Sequence, residues 1–204
     1  MLTIPIHSDG WPVVLQMRPI VELDDDQFFK FCQLNRDWRI ERTAEGELVV
    51  MPPTGWKTGN YNLRVGAALL AWADEDGTGV ATDSSTGFDL PNGATRSPDA
   101  AWVKRSRLAV LTEEQKTRFL PLCPDFVIEL RSSSDNLKTL QDKMQEYIDN
   151  GAQLGWLLDP IDRRVYVYRP GVAVECLENP ATIAGDPVLP GFVLELAKLW
   201  DTAL

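Results

Sequence analysis

The segment Asp125-Phe-Val-Ile-Glu-Leu-Arg131 holds one carboxylate inside an otherwise apolar run. With the two-residue period of a strand, Phe126, Ile128 and Leu130 face one way, and Asp125, Val127, Glu129 and Arg131 the other. Glu129 therefore sits at a half-buried place, where an ionised carboxylate needs a cation or a metal beside it. Two readings are open: a plain salt bridge to Arg131, or a hard oxygen ligand. The helix predicted at 136–150 adds a second group. Leu137, Leu140, Met144, Tyr147 and Ile148 form its buried stripe, with Gln141 in or beside that stripe and Lys143 at its other margin. Lys143 can snorkel, covering apolar surface with its stem, or deliver an ammonium to the helix–sheet junction.

Other chemistries are excluded by residue type. The one histidine, His7, lies in a Ser-Asp-Gly-Trp-Pro segment that reads as an arm, so a Ser-His-Asp triad and a multi-histidine metal site are not available. Cys32, Cys123 and Cys176 are odd in number and form no CxxC, which argues against a disulfide framework or a thiolate zinc site. No GxxxxGK[ST] loop is present, so no Walker-type nucleotide site is expected. Metal chemistry here would use oxygen ligands, which favours magnesium or manganese.

These groups must be positioned by a chain that alternates helices and strands. Asp24, Asp25 and Asp26 open a first helix, where carboxylates suit the positive end of the helix dipole. Strands are expected at 38–42 and 47–51, joined through Ala44-Glu45-Gly46. A helix over about 60–74 has Leu63, Ala67, Leu70 and Ala71 at helical spacing and closes on acids and Gly77. Strands follow at 80–83, 87–90 and 100–103, with Pro91-Asn92-Gly93 as a turn. A polar surface helix is expected at 112–119. After the 126–130 strand and the 136–150 helix, with Gly151 as its terminator, a near-continuous apolar strand at 154–158 reads as interior to the sheet. A hairpin, 164–168 with 172–177, closes the pattern.

The 204 residues, 44% hydrophobic and 25% charged, suit one domain able to bury roughly 70% of its unfolded surface. The expected organisation is an arm over 1–22 followed by a single domain over 23–204. Thirty acids against twenty bases leave a charge of -10, so contact with nucleic acid needs a local basic patch. No apolar run is long enough for a membrane span and no signal peptide is evident, so a cytoplasmic protein is expected.

An ordered set of motifs then points further. Ser97-Pro98-Asp99, Pro124-Asp125-Phe-Val-Ile-Glu129, Asp142-Lys143-Met-Gln-Glu-Tyr147, Asn150-Gly151 and Trp156-Leu-Leu-Asp159-Pro160 resemble the Uma-type putative restriction endonucleases of the PD-(D/E)XK nuclease superfamily. Met51-Pro52-Pro53-Thr54-Gly55, Thr86-Gly87-Phe88, Leu90-Pro91-Asn92-Gly93 and Leu189-Pro190-Gly191-Phe192 belong to the same likeness, which runs from about Asp24 to Trp200. The resemblance implies an α/β (α+β) restriction-endonuclease-like core: a mixed central sheet of about four to six strands flanked by helices. An N-terminal helix-hairpin and a C-terminal β-hairpin would be additions to it.

It also implies an activity, magnesium-dependent endonucleolytic hydrolysis of DNA phosphodiester bonds. Its acidic pair maps to Asp99 and Glu129, which with the Leu130 carbonyl would hold Mg2+ or Mn2+. The superfamily's usual lysine position, two residues after the acid, is Arg131 here, and arginine cannot serve as a base near neutral pH. The family's displaced lysine maps to Lys143, which is placed ahead of Arg131 as the catalytic cation. Where relatives often carry a histidine or acid on the preceding helix, this chain has Asn62, or Asn60. Gln141 would hydrogen-bond Glu129 or substrate, or be a satisfied core amide. For DNA contact, Lys104-Arg105-Ser-Arg107 after the Asp99 strand and Arg96 before it are the candidates; a solvated loop is the plainer reading. A homodimer would suit cleavage of both strands. The alternative is an inactive nuclease-like module that binds nucleic acid or protein.

Overall fold

A computed structural model describes residues 12–201 of the chain. His7 and Trp11 lie outside the described residues. In chain order the elements are β1 (Val13–Leu15), α1 (Asp25–Leu34), β2 (Arg39–Arg42), β3 (Leu48–Met51), α2 (Trp56–Asp76), β4 (Gly79–Asp83), β5 (Phe88–Asp89), β6 (Thr95–Arg96) and β7 (Ala100–Lys104). Then come α3 (Arg105–Leu108), α4 (Glu113–Lys116), β8 (Phe126–Leu130), α5 (Leu137–Asp149), β9 (Leu154–Asp159), β10 (Arg164–Tyr168), β11 (Glu175–Glu178), β12 (Thr182–Ala184), β13 (Val193–Glu195) and α6 (Ala197–Trp200).

The central sheet has six strands in the order β11-β10-β9-β8-β7-β4. It is mixed: β8 and β9 run parallel, with Glu129 beside Leu157, and every other pair is antiparallel. All residues of β8 and β9 are buried, as expected for strands covered on both faces. Alternation along β8 splits two cores. Phe126, Ile128 and Leu130 pack with Tyr61, Val65, Leu69 and Ala73 of α2 and with Phe192 and Leu194. Val127 packs with Met144, Tyr147 and Ile148 of α5 on the other face.

Helix α5 forms where Asn136 accepts the Thr139 amide at 3.2 Å and so caps the first turn. It stops at Gly151, whose φ of 114° suits only a residue without Cβ. A second sheet, β1-β3-β2-β6-β5, lies beside the first, with α1 packed on it through Phe28, Ile40 and Leu48. Asp24 and Gln27 form a reciprocal capping box at the start of α1.

Several expectations are corrected in detail. On α2 the residues read as its apolar stripe, Leu63, Ala67, Leu70 and Ala71, are exposed; Tyr61, Val65, Leu69 and Ala73 face the core. The helix is apolar on two opposite faces, and the larger Tyr61 and Val65 take the sheet side. Within the expected arm, β1 pairs with β3 as an edge strand. The expected closing hairpin, β10 with β11, belongs to the central sheet, while a separate hairpin of β12 and β13 covers the α2 face. The helix expected at 112–119 is the single turn α4, and Phe119 instead packs edge-on to Phe29, 5.0 Å between centroids.

Candidate active site

Where β7 meets β8, Ala100 lies opposite Ile128, so the antiparallel register carries Asp99 across from Glu129. Asp99 Oδ2 accepts the Leu130 amide at 2.9 Å. A strand residue's N–H and C=O point to the same edge, so the Leu130 carbonyl faces the Asp99 side as well. Asp99 Oδ1 accepts from Arg39 Nη1 at 3.2 Å and from Asn62 Nδ2 at 3.3 Å. Asn62 thus contacts Asp99 from α2, while Asn60 accepts from Arg64 Nε at 2.7 Å.

Glu129, 3% exposed, points to the α5 side of the sheet with Val127. Lys143 Nζ lies 2.8 Å from Glu129 Oε1, and the Tyr147 hydroxyl donates to the same oxygen at 3.0 Å. Lys143 thus uses its emerging ammonium, not merely its stem. Its second partner is Glu41 on β2, whose Oε1 accepts from Nζ at 2.9 Å and from the Ser97 amide at 3.0 Å. Arg96 Nη1 approaches Glu41 Oε2 at 3.3 Å and its Nε donates to Glu146 at 2.6 Å. Arg39 stands 3.8 Å from Glu41 and donates to the Ser97 carbonyl. The result is a chain of alternating charge: Asp99, Arg39, Glu41, Lys143, Glu129.

This arrangement sets the ionisation of each group. Burial raises the Glu129 carboxyl; Lys143 opposes this, while Asp99 and Glu41 push it further up. Burial also acts to raise Glu41, but Lys143, Arg96 and Arg39 together outweigh it and hold that carboxyl well below the ordinary range. For Lys143, burial works against the charged form, yet Glu129 and Glu41 prevail and hold it above the ordinary lysine value. It is an ammonium with three donors, two of them committed to carboxylates.

The oxygen donors suit a hard divalent cation. Asp99 and Glu129 bring two carboxylates to neighbouring strands, and the Asn62 Oδ1 atom beside Asp99 is buried without a hydrogen-bond partner. Among the described residues no group of three or more His, Cys, Asp or Glu side chains is gathered for a metal. Glu41 is set apart because Lys143 and Arg39 stand between it and the other two acids.

The remaining expected groups are placed elsewhere. Arg131 pairs with Asp159 at 2.7 Å and Asp162 at 3.3 Å, on the β9–β10 turn, and not with Glu129. Gln141 is half-buried and no hydrogen bond from its side chain is seen among the described residues. Arg96 lies within the ion network. Lys104, Arg105 and Arg107 sit at the far end of β7 from Asp99, about 16 Å along the strand at roughly 3.3 Å per residue. There Arg105 Nε donates to the Gly77 carbonyl at 2.8 Å, and Arg107 pairs at 3.2 Å with Asp125, which also accepts the Lys104 amide at 2.9 Å. Asp125 is thus structural. Glu41, Arg39 and the polar role of Tyr147 were not anticipated. The one local signal for the first two is the period-two pattern of β2, which puts Arg39 and Glu41 on the face opposite Ile40.

No curated protein sequence matches the chain. Among solved structures it is similar to the crystal structure of a putative nuclease belonging to DUF820 from Anabaena variabilis, at 18% identity and a TM-score of 0.70. That likeness covers 87% of this chain and 97% of the other, and establishes a shared fold. The model of the Uma2 family, described as "Putative restriction endonuclease", matches residues 25–197. A match over most of the chain, on the fold just described, makes this protein a member of the Uma2 family.

Proposed function

We propose that the chain is a divalent-metal-dependent endonuclease that hydrolyses DNA phosphodiester bonds. The observation that carries the reading is the Lys143 ammonium seated on Glu129 while Asp99, on the adjoining strand, holds the amide of the very next residue, Leu130. Asp99, Glu129 and the Leu130 carbonyl would hold Mg2+ or Mn2+, with Asn62 Oδ1 binding a water at its edge. The chemistry such a cation supplies is polarisation of the phosphoryl group and a lower pKa for the attacking water.

The protein's own part is positional and electrostatic. Lys143, with its third donor, orients the water and offsets charge developing on the phosphoryl oxygens. Glu41 and Tyr147 fix the reach of that lysine and the rotamer of Glu129. Arg39 stands ready to steady Asp99 as the local charge changes. Arg96 is spent on Glu41 and Glu146, which leaves Lys104, Arg105 and Arg107 as the cations for more distant phosphates. Two copies of the chain would address the two strands of a duplex.

Titration calorimetry of MgCl2 and MnCl2 into wild type and an Asp99→Asn, Glu129→Gln variant tests the reading, with cleavage of supercoiled and single-stranded DNA followed at low salt. Binding lost in that variant is expected, with cleavage lost both there and in Lys143→Met, which retains metal. Absence of binding at millimolar metal, with DNA present, together with absence of cutting would overturn it and leave an inactive binding module.

A further inference from the structure

Three donors converge on Asp99, and they differ in whether they can leave. Oδ2 accepts the Leu130 amide at 2.9 Å, a backbone contact fixed by the pairing of β7 with β8. Oδ1 accepts two side chains, Arg39 Nη1 at 3.2 Å and Asn62 Nδ2 at 3.3 Å. A carboxylate oxygen offers about two lone-pair sites, so Oδ1 is full. Asn62 can remain beside a bound cation, because turning its amide presents Oδ1, an acceptor that is buried and without a hydrogen-bond partner. A guanidinium has donors only. Arg39 therefore cannot share Asp99 Oδ1 with a metal ion; it holds the place or yields it.

Arg39 is also the cation of the network best able to yield. Its side chain is 30% exposed, against 12% for both Lys143 and Arg96. Nη2 donates to the Ser97 carbonyl, but Nε is buried with no hydrogen-bond partner. The guanidinium is thus incompletely satisfied where it lies, which is uncommon for a buried donor. Glu41 stands 3.8 Å from Nη2, just beyond hydrogen-bond range, and would retain Arg39 once Asp99 is given up.

We propose that Arg39 is a built-in rival of the divalent cation for Asp99, so that loading the site exchanges one for the other. The proposal rests on the metal site described above and adds its regulation: the acids keep a counter-ion at all times, and the affinity for the metal is set by what it must displace.

Calorimetric titration of MgCl2 into the full chain tests this without recourse to cleavage. An arginine beside an aspartate weakens its hold on a proton by about ten-fold or more, and a metal ion meets the same opposition. Arg39→Met is therefore expected to bind Mg2+ about ten-fold more tightly than wild type. Arg96→Met removes an equal charge from the same network without touching Asp99, and is expected to change affinity far less. Equal tightening in the two variants would reduce the effect to net charge and overturn the proposal, as would unchanged or weaker binding in Arg39→Met. Since Arg39→Met leaves Asp99 and Glu41 short of a partner, wild type supplies a second measurement. On addition of MgCl2 the nitrogen NMR resonance of Arg39 Nε, assigned by comparison with Arg39→Lys, is expected to move while that of Arg96 stays. An Arg39 resonance that stays put at saturating MgCl2 would also overturn the exchange. The two readings fail differently: no binding in wild type or in Arg39→Met removes the metal site and this proposal with it, whereas binding in wild type without tightening in Arg39→Met removes the exchange alone.

Discussion

Glu41 is the residue on which the candidate site turns, because it meets three cations, Lys143, Arg96 and Arg39. It is 2% exposed, and removing one partner of a buried ion pair costs about 3–5 kcal/mol. Glu41→Gln keeps the shape but not the charge, and a loss of about 3 kcal/mol at neutral pH is expected in urea denaturation. The pH dependence has a definite sign. The folded-state carboxyl is lowered from 4.5 to about 2, so its stabilisation is complete above pH 4.5 and is lost as pH falls toward 2. The gap between wild type and variant should therefore narrow over that window; a gap of constant size would remove Glu41 from the network. Of this site, Glu129 and Lys143 were legible because each breaks a local apolar pattern, a carboxylate in a buried strand and a lysine at the edge of a buried stripe. Glu41 breaks none: on a four-residue strand, Arg39 and Glu41 alternate with Ile40 just as a solvent-facing edge would. Lys143 and Arg96, 102 and 55 residues away in sequence, are what bury it, and no local period contains such a pairing.

Elements were legible to the extent that one face was apolar and the other polar. Helix α5 meets that condition, while strands β8 and β10 are marked instead by short apolar runs bounded by turns; the limits of all three agree with expectation to within a residue. Helix α2 does not meet the condition, since both of its faces offer apolar residues, and only packing decides between them. Hairpin β12–β13 fails for the opposite reason: three-residue strands carry too little pattern to register. Yet that hairpin closes the core. Phe192, in the loop before β13, stacks on Trp156 at 5.6 Å and meets Trp72 at 5.5 Å and Phe126 at 6.3 Å. Gly79 serves the same core from the far edge, where a Cβ would lie 2.1 Å from the Trp102 ring. Truncating a buried phenylalanine costs about 3–5 kcal/mol through lost transfer energy and the cavity left behind. Phe192→Ala should show that loss in chemical denaturation; a change below about 1 kcal/mol would mean that the hairpin only decorates the sheet.

At the scale of the whole molecule, the question is how a chain of charge -10 meets a polyanion. The cations nearest Asp99 are neutralised by their neighbours: Arg39 by Asp99 and Glu41, Arg96 by Glu41 and Glu146, Lys143 by Glu41 and Glu129. They can shape the site but have little attraction to spare at long range. The cluster at the far end of β7 differs, for Lys104 and Arg105 are exposed and form no ion pair among the described residues, while Arg107 shares Asp125. Its distance of about 16 Å from Asp99 along the strand spans roughly five base-pair steps of duplex, so on the proposed function a phosphate held there would not be the one cut. Replacing Lys104, Arg105 and Arg107 together by Gln should weaken DNA binding and lower its salt slope by about one to three, one for each phosphate no longer neutralised. Because nothing in the ion network changes, kcat should stay as in wild type while KM rises. A fall in kcat with unaltered salt dependence would instead bring the cluster into the chemistry, against the geometry of β7. On the proposed function, the acidic remainder of the surface would act as a filter, repelling DNA except where β7 presents a positive end, and the far-end cations would set how the backbone approaches Asp99.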